Sequence, residues 1–277
     1  MQEFFNKLEA FFSFPLYTGL IFALPIYFCA MLYGVEFAVE FFLLSYVVGV
    51  AIYSFNRGTD VKEDLLNRHQ QNKKAFLCFI VISVLCYVLA VIFGLLDGGF
   101  KLVLVLSFPL IMGFFYSKKV GPLPRFKEVL GIKNFVAAFC IAFLGSFMAS
   151  FMGTVEFGVV VLAFLYVFVQ VFIDTVIFDI FDMAGDMRAN VITLPLRFGK
   201  QKITRFLLLL NSLLLFWFGF CFISGLFTAK YLFIAGFGIF YTYVCIWYFV
   251  KCTNKRFLAE IFVDGLWIIL AILMWLL

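Results

Sequence analysis

Two segments of the chain carry pairs of aspartates with the same spacing. Asp60 and Asp64 form the first pair, and Asp182 and Asp186 form the second. Residues four positions apart lie on one face of a helix, so each pair would present two carboxylates side by side. Like charges in that arrangement repel each other, and a divalent cation supplies the missing counter-charge. The two pairs therefore predict a site for metal ions.

Magnesium suits such a site because Mg²⁺ binds through one or two carboxylates and takes its other ligands from water and substrate phosphates. The two pairs thus predict two or more Mg²⁺ ions that hold a diphosphate. Basic side chains in loops at the same end of the molecule would bind the remaining phosphate oxygens. The candidates are Arg68, Lys118, Lys119, Arg125 and Lys127. A phosphorylated head beside an apolar helix bundle is the arrangement that a polyprenyl diphosphate needs.

The elements that must position these residues are membrane helices. Of the 277 residues, 65% are hydrophobic and 13% are charged, whereas a soluble domain has about 25% charged residues. This composition excludes a soluble globular protein, a disordered chain and a nucleic-acid-binding domain. The 43 phenylalanines are interpreted as lipid-facing and packing surface. We therefore expect membrane lipid, and not nucleic acid, as the surrounding partner.

Nine apolar runs are long enough to cross a membrane, which takes about 20 residues per helix. Backbone amides in lipid must be hydrogen-bonded internally, so each run is predicted to be a helix. The expected fold is an all-α, polytopic membrane protein of about nine transmembrane helices in a single domain, residues 1–277. Both aspartate pairs follow an even-numbered run, which indicates a weak internal repeat of helices 1–4 and 5–8 with helix 9 added, a 4+4+1 bundle. The runs cover residues 14–33, 37–55, 75–96, 100–116, 135–153, 157–178, 205–224, 229–250 and 257–277.

The basic residues predict the orientation in the membrane. When the N-terminus and the links after the even-numbered runs are placed on one side, only Lys101 and Lys230 of the 21 basic residues fall on the other side. An excess of lysine and arginine marks the cytoplasmic side. The N-terminus and both aspartate pairs are therefore predicted to be cytoplasmic, and the C-terminus to lie outside.

The segments around both aspartate pairs resemble the motifs of the UbiA-type intramembrane prenyltransferases. That family carries N-x-x-x-D-x-x-x-D after its second helix, which Asn56, Asp60 and Asp64 match. After its sixth helix the family carries D-x-x-D-x-x-G-D, followed by T-L-P. The matching residues are Asp179, Asp182, Gly185, Asp186, Thr193, Leu194 and Pro195. Both motifs occur in the family's order, and with the helix count they extend the resemblance over essentially the whole chain.

The resemblance implies a Mg²⁺-dependent enzyme that moves an isoprenyl group from an isoprenyl diphosphate to a lipophilic or aromatic acceptor and releases pyrophosphate. It also implies a large central cavity, open to the cytoplasmic side, that protects an allylic cation. The implied catalytic and metal-binding residues are Asn56, Asp60, Asp64, Asp182 and Asp186, with Asp179 as a further metal ligand. The family's Y-x-x-x-K motif assigns Tyr116 to the diphosphate and leaves Lys118 and Lys119 as alternatives for its lysine.

Four further residues are assigned to the substrate cavity. Lys133 and Asn134 match a K-N pair found at the start of the family's fifth helix. Asp174 lies inside an apolar run, where a carboxylate is costly and marks a candidate functional residue. It would orient the acceptor or accept its proton, or else form a structural hydrogen bond. Tyr53 precedes Asn56 by three residues and would face the same cavity or lie in the interfacial aromatic belt.

Two other functions remain open at this stage. A secondary transporter can also be built from an internal repeat, although its ions bind near the membrane midplane and its repeats are commonly inverted. A CDP-alcohol phosphatidyltransferase would need a D-G-x-x-A-R motif, which the sequence lacks. The acceptor is not specified, and aromatic acids, tetrapyrroles and glycerol-phosphate lipids all remain candidates.

Overall fold

The computed structural model describes residues 15–59, 73–122, 124–188, 191–251 and 256–277. These residues form helices joined by short connections, and no strand is found among them, which confirms the all-α prediction. Short 3₁₀ turns occur at Phe126–Glu128 and Ser150–Met152. The helices are α1 (Pro15–Tyr33), α2 (Val39–Thr59), α3 (Lys73–Ser117), α4 (Ile132–Ala149), α5 (Phe157–Arg188), α6 (Leu194–Phe198), α7 (Lys200–Ser224), α8 (Ala229–Phe249), α9 (Arg256–Phe262) and α10 (Leu266–Leu276).

Helix α3 contains two of the predicted spans. Its backbone leaves the helical conformation at Gly99, where φ is 63° and ψ is −157°. Glycine lacks a Cβ and adopts positive φ without steric cost, so the chain kinks there. In the described residues, eight segments are long and apolar enough to cross a membrane, and α3 is one of them. Counting its two arms separately gives about nine membrane helices, as the sequence predicts.

The last predicted run, 257–277, is not one continuous helix. It forms α9 and α10, which are separated by a turn over residues 263–265. Asp264 and Gly265 occupy that turn, and both residue types are unfavourable inside a helix because aspartate competes for backbone hydrogen bonds and glycine is flexible. The apolar pattern of the sequence does not reveal this break. The turn contains a carboxyl group, that of Asp264, in the middle of an apolar segment.

Helix α1 packs closely against α2 and α4. Gly19 and Gly49 lie where α1 crosses α2, and a Cβ at residue 49 would lie only 2.9 Å from the Cβ of Phe22. Small residues at such crossings let membrane helices approach closely. Helix α5, which is 32 residues long, packs against α4 and α7. The 4+4+1 order of the helices stays a prediction.

Phenylalanines fill two kinds of surface in this bundle. Phe135, Phe139, Phe143 and Phe147 follow one another along α4, with ring centroids 4.6–6.2 Å apart. Others face outward, such as Phe216, which is 77% exposed. Hydrocarbon solvates such side chains, so an outward apolar face is stable in a membrane. The chain is an integral, multi-pass membrane protein, and the phenylalanine excess serves packing and lipid contact.

Candidate active site

A cavity of about 390 Å³ lies between α1, α2, the second arm of α3, α4, α5 and the last two helices. Its lining combines apolar side chains with a concentration of charged ones. The aromatic residues of the lining are Phe22, Tyr53, Tyr116, Phe178 and Trp267. Most phenylalanines of the described chain therefore lie elsewhere.

Helix α5 contributes the longest stripe of lining residues. The run predicted at 157–178 continues unbroken to Arg188, so the second aspartate motif lies on the same helix. This confirms the predicted helical spacing of Asp182 and Asp186. The lining residues recur at the three- and four-residue spacing of one helix face. They are Val171, Asp174, Thr175, Phe178, Asp179 and Asp182.

Lys133, at the start of α4, contacts two carboxylates of α5. Its Nζ lies 2.6 Å from Oδ1 of Asp179 and 3.9 Å from Oδ2 of Asp186. The neighbouring Asn134 donates from Nδ2 to Oδ2 of Asp179 at 2.9 Å and to Oγ1 of Thr175 at 3.3 Å. Both carboxylate oxygens of Asp179 thus accept a hydrogen bond. Because charge-assisted bonds of this kind are strong, the α4–α5 junction is held in one geometry.

Asn56 reaches the same part of the cavity from the end of α2. The hydroxyl of Ser117, the last residue of α3, donates to its Oδ1. This bond ties α2 to α3 and sets the direction of the Asn56 side chain. We call the group Asn56, Lys133, Asn134, Asp179 and Asp182 the lysine end of the cavity.

The cavity has a second polar region, formed by Asp174, Glu260 and Asp264, which we call the acidic end. Asp174 and Glu260 are 7% and 5% exposed. The carboxyl group of Asp264 is close enough to act electrostatically on Asp174 and on the hydroxyl of Tyr53. Of the described basic residues, Arg57 and Lys133 line the cavity, and Lys133 is bonded to Asp179 at the lysine end.

The residues predicted to bind diphosphate are not all brought to the cavity. Tyr116 lines it, whereas Lys118 and Lys119 are exposed outside the lining and Lys127 is buried outside it. The Arg125 side chain pairs with Glu128 at 2.6 Å, and its hydrogen bonds lower the pKa of that carboxyl. The predicted residues Asp60, Asp64 and Arg68 lie outside the described part of the chain.

The donor chemistry of the lysine end fits a hard cation. Asn56 and Asp182 line one cavity and offer amide and carboxylate oxygens, the ligand type that Mg²⁺ takes together with water and phosphate. Among the described residues no three of His, Cys, Asp or Glu are grouped closely enough to hold a metal ion. A complete predicted ligand set therefore includes Asp60 and Asp64, whose positions are not described.

Sequence reasoning missed part of the cavity. The sequence motifs assign no role to Glu260, Thr175 or Asp264, all of which line the cavity. A signal was present, because Glu260 and Asp264 are four residues apart in the last apolar run, the same spacing as the aspartate pairs. No motif distinguishes them from charges that anchor a helix end at the membrane surface.

Comparison with models of known protein families shows to which family the chain belongs. The model of the UbiA prenyltransferase family matches residues 12–266. The chain belongs to the UbiA prenyltransferase family. A search among curated proteins found no match. Family membership rests on nearly the full length of this UbiA protein, and the resemblance of the two aspartate motifs agrees with it.

Solved structures share the fold of this UbiA protein at low sequence identity. A digeranylgeranylglyceryl phosphate synthase has a TM-score of 0.66 and 18% identity, over 99% of this chain and 98% of that one. A UbiA homologue from Archaeoglobus fulgidus has a TM-score of 0.63 and 16% identity, over 94% and 96%. A homologue from Aeropyrum pernix K1 has a TM-score of 0.62 and 15% identity, over 93% and 95%. All three are similar over nearly their whole length.

Proposed function

We propose that this UbiA protein is a Mg²⁺-dependent prenyltransferase, which moves an isoprenyl group from an isoprenyl diphosphate to a lipophilic or aromatic acceptor and releases pyrophosphate. Three similar structures support the donor and the metal. The Archaeoglobus fulgidus homologue was solved with DMAPP and Mg²⁺, with GPP and Mg²⁺, and with Cd²⁺. The observation that carries the proposal is the cavity that joins the lysine end to an apolar, aromatic interior.

The lysine end supplies what a diphosphate head group needs. Asn56 and Asp182 present oxygen ligands from α2 and α5, and Asp60, Asp64 and Asp186 complete the proposed metal-binding set. Bound Mg²⁺ would neutralise the diphosphate and make it a better leaving group. Lys133 and Asn134 hold Asp179, which keeps the α5 face oriented while the head group binds. Tyr116 lines the same cavity with a hydroxyl that can donate to a phosphate oxygen.

The remainder of the lining suits the isoprenyl chain and the cationic carbon. When the bond between C1 and the diphosphate oxygen breaks, the electron pair leaves with pyrophosphate, and C1 gains positive charge. The aromatic residues Tyr53, Phe178 and Trp267 line the cavity, and aromatic rings can stabilise such a cation. Their apolar surface also keeps water from the reactive carbon. A nucleophilic atom of the acceptor then bonds to C1 and loses its proton.

The test is a product assay with purified, full-length protein in lipid nanodiscs. The protein is incubated with Mg²⁺, labelled isoprenyl diphosphates of several chain lengths and a panel of lipophilic and aromatic acceptors. The expected result is release of pyrophosphate together with a product heavier than the acceptor by one isoprenyl group. EDTA should abolish both signals, and added Mg²⁺ should restore them.

The same preparation separates transfer from transport. Proteoliposomes that move an acceptor or a diphosphate across the membrane without releasing pyrophosphate would contradict the proposal and favour a transporter. Pyrophosphate release that persists in EDTA would contradict the metal requirement alone.

A further inference from the structure

The cavity ends inside the helix bundle. From the lysine end, its lining extends along α4 as far as Ile141 and along α5 as far as Val171. About one helical turn further inward on the same two helices, Leu144 and Val167 are fully buried. Interiors of this kind are packed about as densely as organic crystals. A molecule that enters at the lysine end therefore meets packed side chains beyond this level.

A stack of aromatic rings lies beyond that level. The ring of Trp267, which lines the cavity, packs edge-on against Phe28 at 5.6 Å between centroids. Phe28 is stacked on Tyr166 at 5.0 Å, and Tyr166 packs against Trp217 at 4.9 Å. All four side chains are buried, and we call them the aromatic floor. The floor joins α10, α1, α5 and α7 across the bundle.

Hydrogen bonds hold two rings of the aromatic floor in place. The hydroxyl of Tyr166 donates to the carbonyl oxygen of Ala235 at 2.8 Å, and Nε1 of Trp217 donates to that of Leu162 at 2.9 Å. Helix α8 also approaches Tyr166 at Gly238, where a Cβ would collide with the Tyr166 hydroxyl. Rings fixed in this way cannot move aside without loss of these contacts.

The depth of the cavity sets a length for the isoprenyl chain. Val171 and Asp182 are eleven residues apart on one helix, which is about 16.5 Å along its axis at a rise of 1.5 Å per residue. An isoprene unit adds four carbon–carbon bonds of about 1.5 Å each, or roughly 5 Å of extended chain. Two units, roughly 10 Å, leave room for the head group, whereas four units, roughly 20 Å, exceed the whole depth.

We propose that the aromatic floor limits the chain length of the isoprenyl donor, so that the protein prefers a donor of two isoprene units to one of four. Trp267 and Phe28 are then residues that determine specificity, Trp267 by direct contact and Phe28 by supporting it. This inference rests on the proposed prenyltransferase function and adds the length class of the donor.

The experiment compares two donor analogues that differ only in chain length. They are labelled geranyl and geranylgeranyl thiolodiphosphate, in which sulfur replaces the oxygen bonded to C1. Binding to the full-length protein in phosphatidylcholine nanodiscs with Mg²⁺ is measured, and empty nanodiscs give the concentration of each analogue in the lipid. Relative to that concentration, the two-unit analogue is expected to bind about tenfold more tightly, because extra methylenes forced into a packed interior are destabilising.

Substitutions in the aromatic floor should change this preference. Trp267→Leu removes the ring nearest the cavity, so the four-unit analogue should gain about tenfold relative to the two-unit analogue, and Phe28→Leu should give a gain of about threefold. Trp275→Leu, on the same helix but 77% exposed, is the matched control and should leave the ratio unchanged.

Val171→Phe tests the opposite direction. A larger side chain at the inner end of the lining shortens the cavity, so geranyl thiolodiphosphate should lose affinity relative to the one-unit dimethylallyl analogue. This variant fills space in the cavity and keeps the test decisive if the variants of the aromatic floor do not fold.

Equal or tighter binding of the four-unit analogue by the parent protein would overturn the inference, because the chain would then leave the cavity between helices into the lipid. Unchanged ratios in all three cavity and floor variants would also overturn it. Failure of both analogues to bind would contradict the donor site of the proposed function, on which this inference rests. A protein that prefers the two-unit analogue but releases no pyrophosphate from the natural diphosphate would contradict the proposed function and leave the length limit standing.

Discussion

The two ends of the cavity use the same residue type in opposite surroundings. At the lysine end, both oxygens of Asp179 accept hydrogen bonds, from Lys133 and Asn134. At the acidic end, Asp174 has no hydrogen-bond partner among the described residues and lies near the carboxyl group of Asp264. The two aspartates are five residues apart on one helix. The difference between them therefore comes from the neighbouring helices and not from α5 itself.

The contrast shows that two carboxyl groups on one helix can have different environments. A carboxylate with both oxygens hydrogen-bonded is fixed in place, and it rigidifies the helix junction around it. A buried carboxylate without a protein partner is instead available to a ligand that donates a hydrogen bond. Helix α4 supplies hydrogen-bond partners to Asp179, whereas the carboxyl group of Asp264, in the turn between α9 and α10, lies near Asp174.

The largest effect is expected at the lysine end from Asp182→Asn. Loss of the carboxylate removes a proposed Mg²⁺ ligand, so pyrophosphate release and prenyl transfer should both fall by about a thousandfold or more. Asp60→Asn should have the same effect. Activity is measured at matched protein levels in nanodiscs, with Asp97→Asn as the control that retains activity.

Full activity of Asp182→Asn would break the comparison, because the lysine end would then not be the diphosphate site. Loss of transfer with normal pyrophosphate release would be equally informative. That result would indicate that Asp182 acts on the acceptor and not on the isoprenyl diphosphate.

A smaller effect, on stability as well as activity, is expected from Lys133→Met. This change leaves Asp179 and Asp186 without the cation between them, at a cost of about 2 kcal/mol in the free energy of unfolding. The midpoint of thermal unfolding in detergent should fall accordingly. The double variant Lys133→Met/Asp179→Asn should regain most of the stability, since no unpaired charge remains at residue 179.

Prenyl-transfer activity distinguishes a purely structural role of the Lys133–Asp179 contact from a role in catalysis. If the Lys133–Asp179 contact is purely structural, the double variant should regain transfer along with stability. We expect transfer to remain low in it, because the α5 face would no longer be held by charge-assisted bonds beside the diphosphate.

The smallest effect is expected outside the cavity, from Arg125→Gln. The sequence assigns Arg125 to the diphosphate, yet its guanidinium is paired with Glu128. We expect the KM for the isoprenyl diphosphate to change by less than about threefold, as for a solvent-exposed ion pair. A change as large as that of Asp182→Asn would show that this loop reaches the head group in the substrate complex.

Arg125→Gln also has a pH signature. Arg125 lowers the pKa of Glu128, so the pair stabilises the fold above the ordinary glutamate pKa, and this contribution is lost as the pH falls through the lowered pKa. The difference in thermal midpoint between the parent and the variant should therefore be present at neutral pH and vanish in acid. A difference that grew in acid would contradict the pairing.

Sequence alone determined the membrane helices and the aspartate stripe of α5. Both depend on local rules, because lipid requires backbone hydrogen bonds within each helix and a helix repeats every 3.6 residues. The motif resemblance led to the family for the same reason, since its residues lie close together in the chain. The first aspartate pair, Asp60 and Asp64, and Arg68 remain predictions, because they lie outside the described residues.

Tertiary structure alone decided which charges share a cavity. Lys133 and Asp179 are 46 residues apart in the chain, and Asp174 and Asp264 are further apart still. Whether a buried carboxylate meets a lysine or another carboxylate depends on how helices pack, and no local pattern encodes that contact. The sequence thus identified the acids of α5, whereas the packing of α4, α9 and α10 decided their surroundings and brought Glu260 and Asp264 to the cavity.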